Sequence, residues 1–219
     1  METSDKITDQ INKTIEENKF MENSISVGEG EDNMSFMPDN FRERRDLEQY
    51  FFTRENIQSL INILMMTYPE EGEIEEKVCL VCAPSLAKAL YEDYDIKVTI
   101  CDIDKRFEDL PGFTYFDLKE PFEIPDKDFD LILIDPPFFS VTLDQQAKAM
   151  SVLAKGNYKC KLYISFPHRD EKQVFSSFKD FNLKRTNFEL EYATVKPNRW
   201  ENYILYGNAD LIGLKRVKK

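Results

Sequence analysis

Leu131-Ile132-Leu133-Ile134-Asp135-Pro136-Pro137-Phe138 decides the fold. Four consecutive apolar residues, with no polar alternation, read as a strand covered on both faces, as strands are inside a parallel sheet. Pro136 and Pro137 carry no amide hydrogen and hold φ at about −65°, so neither strand nor helix continues through them. The expected result is a stiff loop at the carboxyl end of a buried strand, where open α/β sheets bind ligands. Its chemistry is specific. The Asp135 carboxylate and a rigid backbone carbonyl both accept hydrogen bonds from an NH2 group, and Phe138 offers a flat face to stack on it.

Working outward, the flanking sequence supplies the rest of such a sheet. Upstream, strands are expected at Val78 to Ala83, Lys97 to Asp104 and Gly112 to Asp117, with a helix from Leu86 to Tyr94 opened by Pro84-Ser85. Earlier still, Ile57, Leu60, Ile61, Leu64 and Met65 form an apolar helix stripe. Thr53 is its candidate cap, with Asn56 three residues on, and Pro69 and Gly72 close it. Downstream, Thr142 to Ala154 is spaced for a helix with Leu143, Ala147, Met150 and Leu153 on one face. Lys159 to Phe166 reads as a strand broken by Pro167, and Glu171 to Phe178 as a helix. Asn187 to Tyr192 and Asn202 to Gly207 alternate as closing antiparallel strands. Strand–helix alternation from Val78 onward predicts α/β with a largely parallel sheet.

At 219 residues and 42% hydrophobic, the chain fits one domain plus a tail. A net charge of −12 and a pI near 4.7 point away from a broad electrostatic grip on phosphate backbone. A local basic patch or a partner subunit still lets an acidic protein modify nucleic acid; a basic protein substrate suits the charge better. The start Met1-Glu2-Thr3-Ser4-Asp5 has neither a basic flank nor an apolar core, so no signal peptide is expected. No apolar run approaches the roughly 18 residues of a membrane span. The four cysteines fall mostly in predicted strands, as reduced thiols of a cytoplasmic protein do. Cys79 and Cys82 form a C-x-x-C within one of those strands, with no second pair and a single histidine, His168, in the chain. No metal site is expected from it. His168 itself reads as a surface residue, and no Ser-His-Asp or Cys-His set can be assembled.

Asp-Pro-Pro-Phe after an apolar strand resembles the amino-methyltransferase signature of S-adenosylmethionine-dependent enzymes. Gln49-Tyr50-Phe51-Phe52, Ala83-Pro84-Ser85 and Asp102-Ile103-Asp104-Lys105-Arg106-Phe107 add three further blocks in order. Together they resemble the family named as probable N6-adenine methyltransferases, from about Asp46 to about Asp210. That family includes the lysine methyltransferase of translation elongation factor 1-alpha and an RNA adenine methyltransferase with added zinc fingers. The resemblance implies a Rossmann-like class I S-adenosylmethionine-dependent methyltransferase, α/β, with a mostly parallel sheet and helices on both faces. The implied cofactor is S-adenosyl-L-methionine.

Site residues follow from position. Asp135, Pro136, Pro137 and Phe138 are the candidate catalytic corner. Tyr50, Phe51 and Phe52 lie over the methyl donor in the family and are candidates for its wall; plain packing is the alternative. Ala83, Pro84 and Ser85 stand where related folds place glycines to let backbone approach a ligand. The family carries the same Ala-Pro-Ser, and the donor has no pyrophosphate to cradle. Asp102, with Asp104 beside it, ends a strand about 20 residues after that turn, where a carboxylate grips ribose hydroxyls in this topology; a turn acid is the alternative. Arg106 either orients these carboxylates or is solvated. Phe116 and Asp117 are implied beside the adenine, Asp117 accepting from its exocyclic amine; again the alternative is a strand-ending turn.

The expected reaction is in-line transfer of a sulfonium methyl to nitrogen, by positioning rather than through a covalent enzyme intermediate. A lysine of elongation factor 1-alpha is the first acceptor, supported by the acidic charge and the lack of appended zinc fingers. Adenine N6 of RNA or DNA is the second, and a non-catalytic binding subunit the third. Residues 1–40 hold ten acids against three lysines and read as an acidic, flexible arm, with Ile7, Ile11 and Ile15 spaced for a short helix. A solvating tail or a partner-docking helix both fit it. The methyltransferase domain is expected over 41–214. Lys196 to Glu201 is a polar loop near the pocket, gating or plain, and the basic tail 215–219 is a solubilising end or an anion contact.

Overall fold

A computed structural model describes Met37, residues 41–196 and residues 202–217. Nearly all of the acidic arm, most of the 196–201 loop, and Lys218 and Lys219 therefore lie outside the described residues. Seven strands form one sheet: β1 (Val78–Val81), β2 (Thr99–Asp102), β3 (Phe113–Tyr115), β4 (Leu131–Ile134), β5 (Lys161–Pro167), β6 (Lys184–Leu190) and β7 (Tyr203–Gly207). Their order is β3-β2-β1-β4-β5-β7-β6. The first five neighbours run parallel, and β7 is antiparallel to both β5 and β6. The helices are α1 (Arg54–Thr67), α2 (Glu73–Lys77), α3 (Pro84–Tyr94), α4 (Leu143–Leu153) and α5 (Glu171–Ser177).

Every residue of β1 and β4 is buried, as their unbroken apolar sequence requires. The two-residue period of a strand then sorts them between two cores. Val78, Leu80, Leu131 and Leu133 face α1 and α3, meeting Ile57, Leu60, Ile61 and Leu86. Cys79, Val81, Ile132 and Ile134 face α4 and α5, meeting Met150, Leu153 and Val174. Each such aliphatic side chain contributes about 1.5–3 kcal/mol by leaving water. Helices thus cover both faces. Thr53 caps α1 by accepting from the Asn56 amide at 3.3 Å. Thr142 and Gln145 make a reciprocal capping box that starts α4.

Three local features differ from the sequence expectation. Pro167 does not break β5 but ends it, paired with Tyr203, because the missing amide falls where the ladder stops. β6 starts at Lys184, ahead of Asn187; a register shift between Arg185 and Glu189 obscures its alternation. The short α2 spans five residues, too few to show a helical period.

The chain leaves β1 toward β2 on one side and β4 toward β5 on the other. The crevice at this reversal lies outside the carboxyl ends of β1, β2 and β4. Those three ends carry Cys82, Asp102 and Asp135.

Candidate active site

Backbone hydrogen bonds continue the ladder to the edge of the crevice. The Cys82 amide donates to the Cys101 carbonyl at 2.9 Å, the Asp135 amide to Val81 at 3.0 Å, and the Phe116 amide to Asp102 at 3.0 Å. The side chains at the rim therefore stand on rigid strand ends. Cys82, Asp102, Phe116, Asp117, Asp135, Pro136, Pro137 and Phe138 line a single cavity, closed on the other side by Gln49, Tyr50 and Tyr192. Cys82 holds φ at 54°, the left-handed conformation that glycine usually supplies at such a turn. The glycine-free turn thus keeps the tight geometry, with local strain of about 1–3 kcal/mol.

The Asp-Pro-Pro-Phe corner is clamped. Gln146 of α4 donates through Nε2 to the Pro137 carbonyl at 3.0 Å and the Val141 carbonyl at 2.9 Å. The Phe138 ring stacks on Tyr203 at 5.4 Å and meets Phe166 edge-on at 5.3 Å. No hydrogen bond from a described residue engages the Pro136 carbonyl, which remains an open acceptor beside Asp135. Glu48 accepts from the Phe139 amide at 2.7 Å and ties the segment before α1 to this corner.

Two carboxyl groups dominate the electrostatics. Asp102 is 4% exposed, accepts the Asp104 amide at 2.8 Å, and burial pushes its pKa up to about 7. Asp135 accepts the Tyr192 hydroxyl at 2.6 Å, and its pKa too is pushed up to about 7 by burial. Tyr192 also lies 2.7 Å from the Ser165 hydroxyl.

The structure brings Asp102, Phe116, Asp117 and the 135–138 corner together on one cavity wall. The remaining candidates lie behind it. Phe51 packs against Phe41 and Phe107, and Phe52 stacks on the Tyr192 ring at 5.4 Å. Both rings are turned into core because a β-like bridge joins Phe52 to Tyr192 and leaves Tyr50 facing the cavity. Asp104 is buried against Arg106, which also donates to Gln49 at 2.9 Å and to the Arg42 carbonyl at 3.0 Å. Arg106 thus orients Asp104 and pins the cavity's outer segment. Ala83, Pro84 and Ser85 are buried at the start of α3, and Cys82 is the residue of that turn at the cavity.

Sequence reasoning missed Tyr192, Cys82, Ile103, Leu118 and Lys119 as cavity residues. Alternation marks Tyr192 as inward-facing, but nothing local links it to a carboxylate 57 positions away. Cys79 pairs with Cys101, their sulfurs 3.7 Å apart, rather than with Cys82. Among the described residues no group of three or more His, Cys, Asp or Glu is arranged to hold a metal.

A buried carboxylate at the end of β2 suits a vicinal diol. A ring at Phe116 with Asp117 at its edge suits a purine bearing an exocyclic amine. Acceptors at Asp135 and Pro136 suit a nitrogen that carries hydrogens. These acceptors and rings are complementary to a nucleoside and to an amine. The family model described as probable N6-adenine methyltransferase matches residues 43–210. No curated protein matches the sequence. Among solved structures, the chain is similar to a TehB-like SAM-dependent methyltransferase from Corynebacterium glutamicum, at 14% identity and a TM-score of 0.46, over 69% of this chain and 85% of that one. It is also similar to the PH0226 protein from Pyrococcus horikoshii, at 15% identity and a TM-score of 0.43, over 70% of this chain and 89% of that one. A match over most of the chain, on a sheet whose reversal point carries the Asp-Pro-Pro-Phe corner, makes this protein a member of the probable N6-adenine methyltransferase family, with the fold of class I methyltransferases and S-adenosyl-L-methionine as its cofactor.

Proposed function

We propose that the chain is a protein-lysine N-methyltransferase whose substrate is translation elongation factor 1-alpha or a protein like it, acting in the cytoplasm. One observation carries the choice of lysine. The cavity is lined by five acids, Asp46, Glu48, Asp102, Asp117 and Asp135, of which Asp46 is ion-paired with Arg44 and Asp102 and Asp135 ionise near pH 7, against one lining cation, Lys119. Such a rim attracts an ammonium on a basic protein and repels a polyphosphate. Tyr50, Phe138 and Tyr192 around Asp135 give aromatic walls for an alkyl stem and its cationic head. Elongation factor 1-alpha enters through the sequence resemblance, and cytoplasm through the four free thiols, three of them buried. Among the described residues no helix is long and apolar enough to cross a membrane.

When bound, S-adenosylmethionine supplies an electrophilic methyl on a sulfonium. Asp102 would accept hydrogen bonds from the ribose hydroxyls, and Phe116 and Asp117 would hold the adenine, the carboxylate accepting from its amine. Phe51, Phe52, Asp104 and the Ala83-Pro84-Ser85 turn support that wall from behind. Asp135 and the Pro136 carbonyl would hold the acceptor nitrogen, Pro137 fixes the corner, and Phe138 would flank the side chain. Their work is positioning, which supplies several kcal/mol of barrier reduction.

Adenine N6 is the second reading, favoured by the open Pro136 carbonyl beside Asp135, a two-acceptor arrangement that also fits an exocyclic NH2. Incubation with labelled donor and cell lysate, followed by ribonuclease or protease, separates the two. Protease-sensitive label on a lysine of elongation factor 1-alpha, located by peptide mass spectrometry, is the expected result. Label lost to ribonuclease overturns the lysine reading. A protein that binds no donor in calorimetry overturns both.

A further inference from the structure

We propose that Asp135 takes the proton from the substrate ammonium, and that Tyr192, backed by Ser165, is the positioning residue that holds Asp135 for this step. The inference rests on the lysine reading above. Its geometry is a chain of hydroxyls. Tyr192 is buried and its oxygen lies 2.6 Å from Asp135 Oδ1 and 2.7 Å from Ser165 Oγ. A phenol has one hydrogen, and an ionised carboxylate is the stronger acceptor. Tyr192 therefore donates to Asp135, and Ser165 donates to Tyr192. The tyrosine cannot swing away: its ring stacks on Phe52 and meets Tyr203 edge-on at 4.9 Å. Oδ1 is thus committed, and Oδ2 is left for the substrate.

The surroundings decide what such a carboxylate does. Facing it across the cavity are Cys82 from the turn after β1, Asp102 from the end of β2, Asp117 after β3, and Glu48 and Tyr50 from the segment before α1. Lys119 is the one cation among the described lining residues. No guanidinium or ammonium neutralises Asp135; it is held by hydroxyls alone. Burial leaves it with a pKa of about 7. A lysine at its reference pKa of about 10.4 lies roughly three units above that. Desolvation in the same site lowers the lysine and narrows the gap. The ammonium passes one proton to Asp135 and becomes a neutral amine. The lone pair so freed would form the new bond to the donor's methyl carbon, the carbon–sulfur pair leaving on sulfur. Asp135 then releases the proton to solvent as the methylated ammonium leaves.

The test uses the full-length protein with 13C-labelled aspartate carboxyls, titrated by NMR without donor or substrate, alongside the pH profile of kcat/KM. Asp135 is expected to titrate in the neutral range. In Tyr192→Phe the ring stays but the donor is lost, so its titration and the acid limb of the profile both move to higher pH by about one unit. Ser165→Ala, which removes the hydroxyl that backs Tyr192 and also helps hold the Asp135 charge, is expected to give a smaller shift in the same direction, and it serves if Tyr192→Phe fails to fold. A carboxyl titration unmoved in the variants, or a pH profile that does not follow it, overturns the proposal. The titration needs no substrate, so label found in RNA would fail the lysine reading while leaving this measurement to stand or fall alone.

Discussion

Asp102 and Asp135 are held where water would otherwise serve them better. Both are buried acids whose pKa lies near 7, above the roughly 3.9 of an unfolded aspartate. An acid with a raised folded pKa favours the native state fully below the unfolded value, and that contribution is lost as pH rises through about 7. Removing the charge should therefore stabilise the fold on the alkaline side. Asp135→Asn is expected to raise the melting temperature at pH 8 by several degrees, up to about 4 kcal/mol of stability, with the gain gone at pH 4. Thermal scans at the two pH values check this, and the same variant should lose most activity. Asp102→Asn should weaken donor binding at pH 8 by about 1.5–3 kcal/mol, the worth of hydrogen bonds to a charged group. In the parent protein, donor affinity measured by calorimetry should fall as pH drops below about 7, because the protonated acid is a poorer acceptor.

At the scale of elements, strand ends and the segment before α1 position the site. The Thr53 amide donates to the Glu191 carbonyl at 3.0 Å and the Ala193 amide to the Phe51 carbonyl at 2.9 Å, so this segment is zipped to the one that carries Tyr192. Tyr50 and Tyr192 reach the cavity together for that reason. β3 depends on a different device. Gly112 has φ of 85°, and an added Cβ would lie 2.2 Å from the Val98 carbonyl oxygen. Gly112→Ala combines backbone strain with a backbone clash that no rotamer relieves. It should cost more than about 3 kcal/mol, read as a lower urea midpoint, and should loosen the Phe116–Asp117 wall that follows β3.

The whole molecule adds long-range charge. A chain of net charge −12, with five carboxylates lining one cavity, should speed its encounter with a basic protein. Raising ionic strength from about 0.05 to about 0.5 M should lower kcat/KM toward a basic protein substrate by about tenfold, with kcat little changed, as screening shortens the reach of the field. An insensitive or rising rate would count against a cationic substrate.

Sequence alone determined the sheet and the corner. Unbroken apolar runs at 78–81 and 131–134, the second ended by a carboxylate and two prolines, leave few folds other than a parallel sheet with a ligand loop at its carboxyl edge. Those are local properties of backbone sterics and burial, written within a dozen residues. Tertiary structure decided which face each aromatic of 50–52 presents, that Cys82 takes the left-handed conformation in place of glycine, and that Tyr192 meets Asp135. Such contacts join residues 57 positions apart in the case of Tyr192 and Asp135. They depend on strand register and on how the segment before α1 folds over the crevice, and no short-range pattern encodes either.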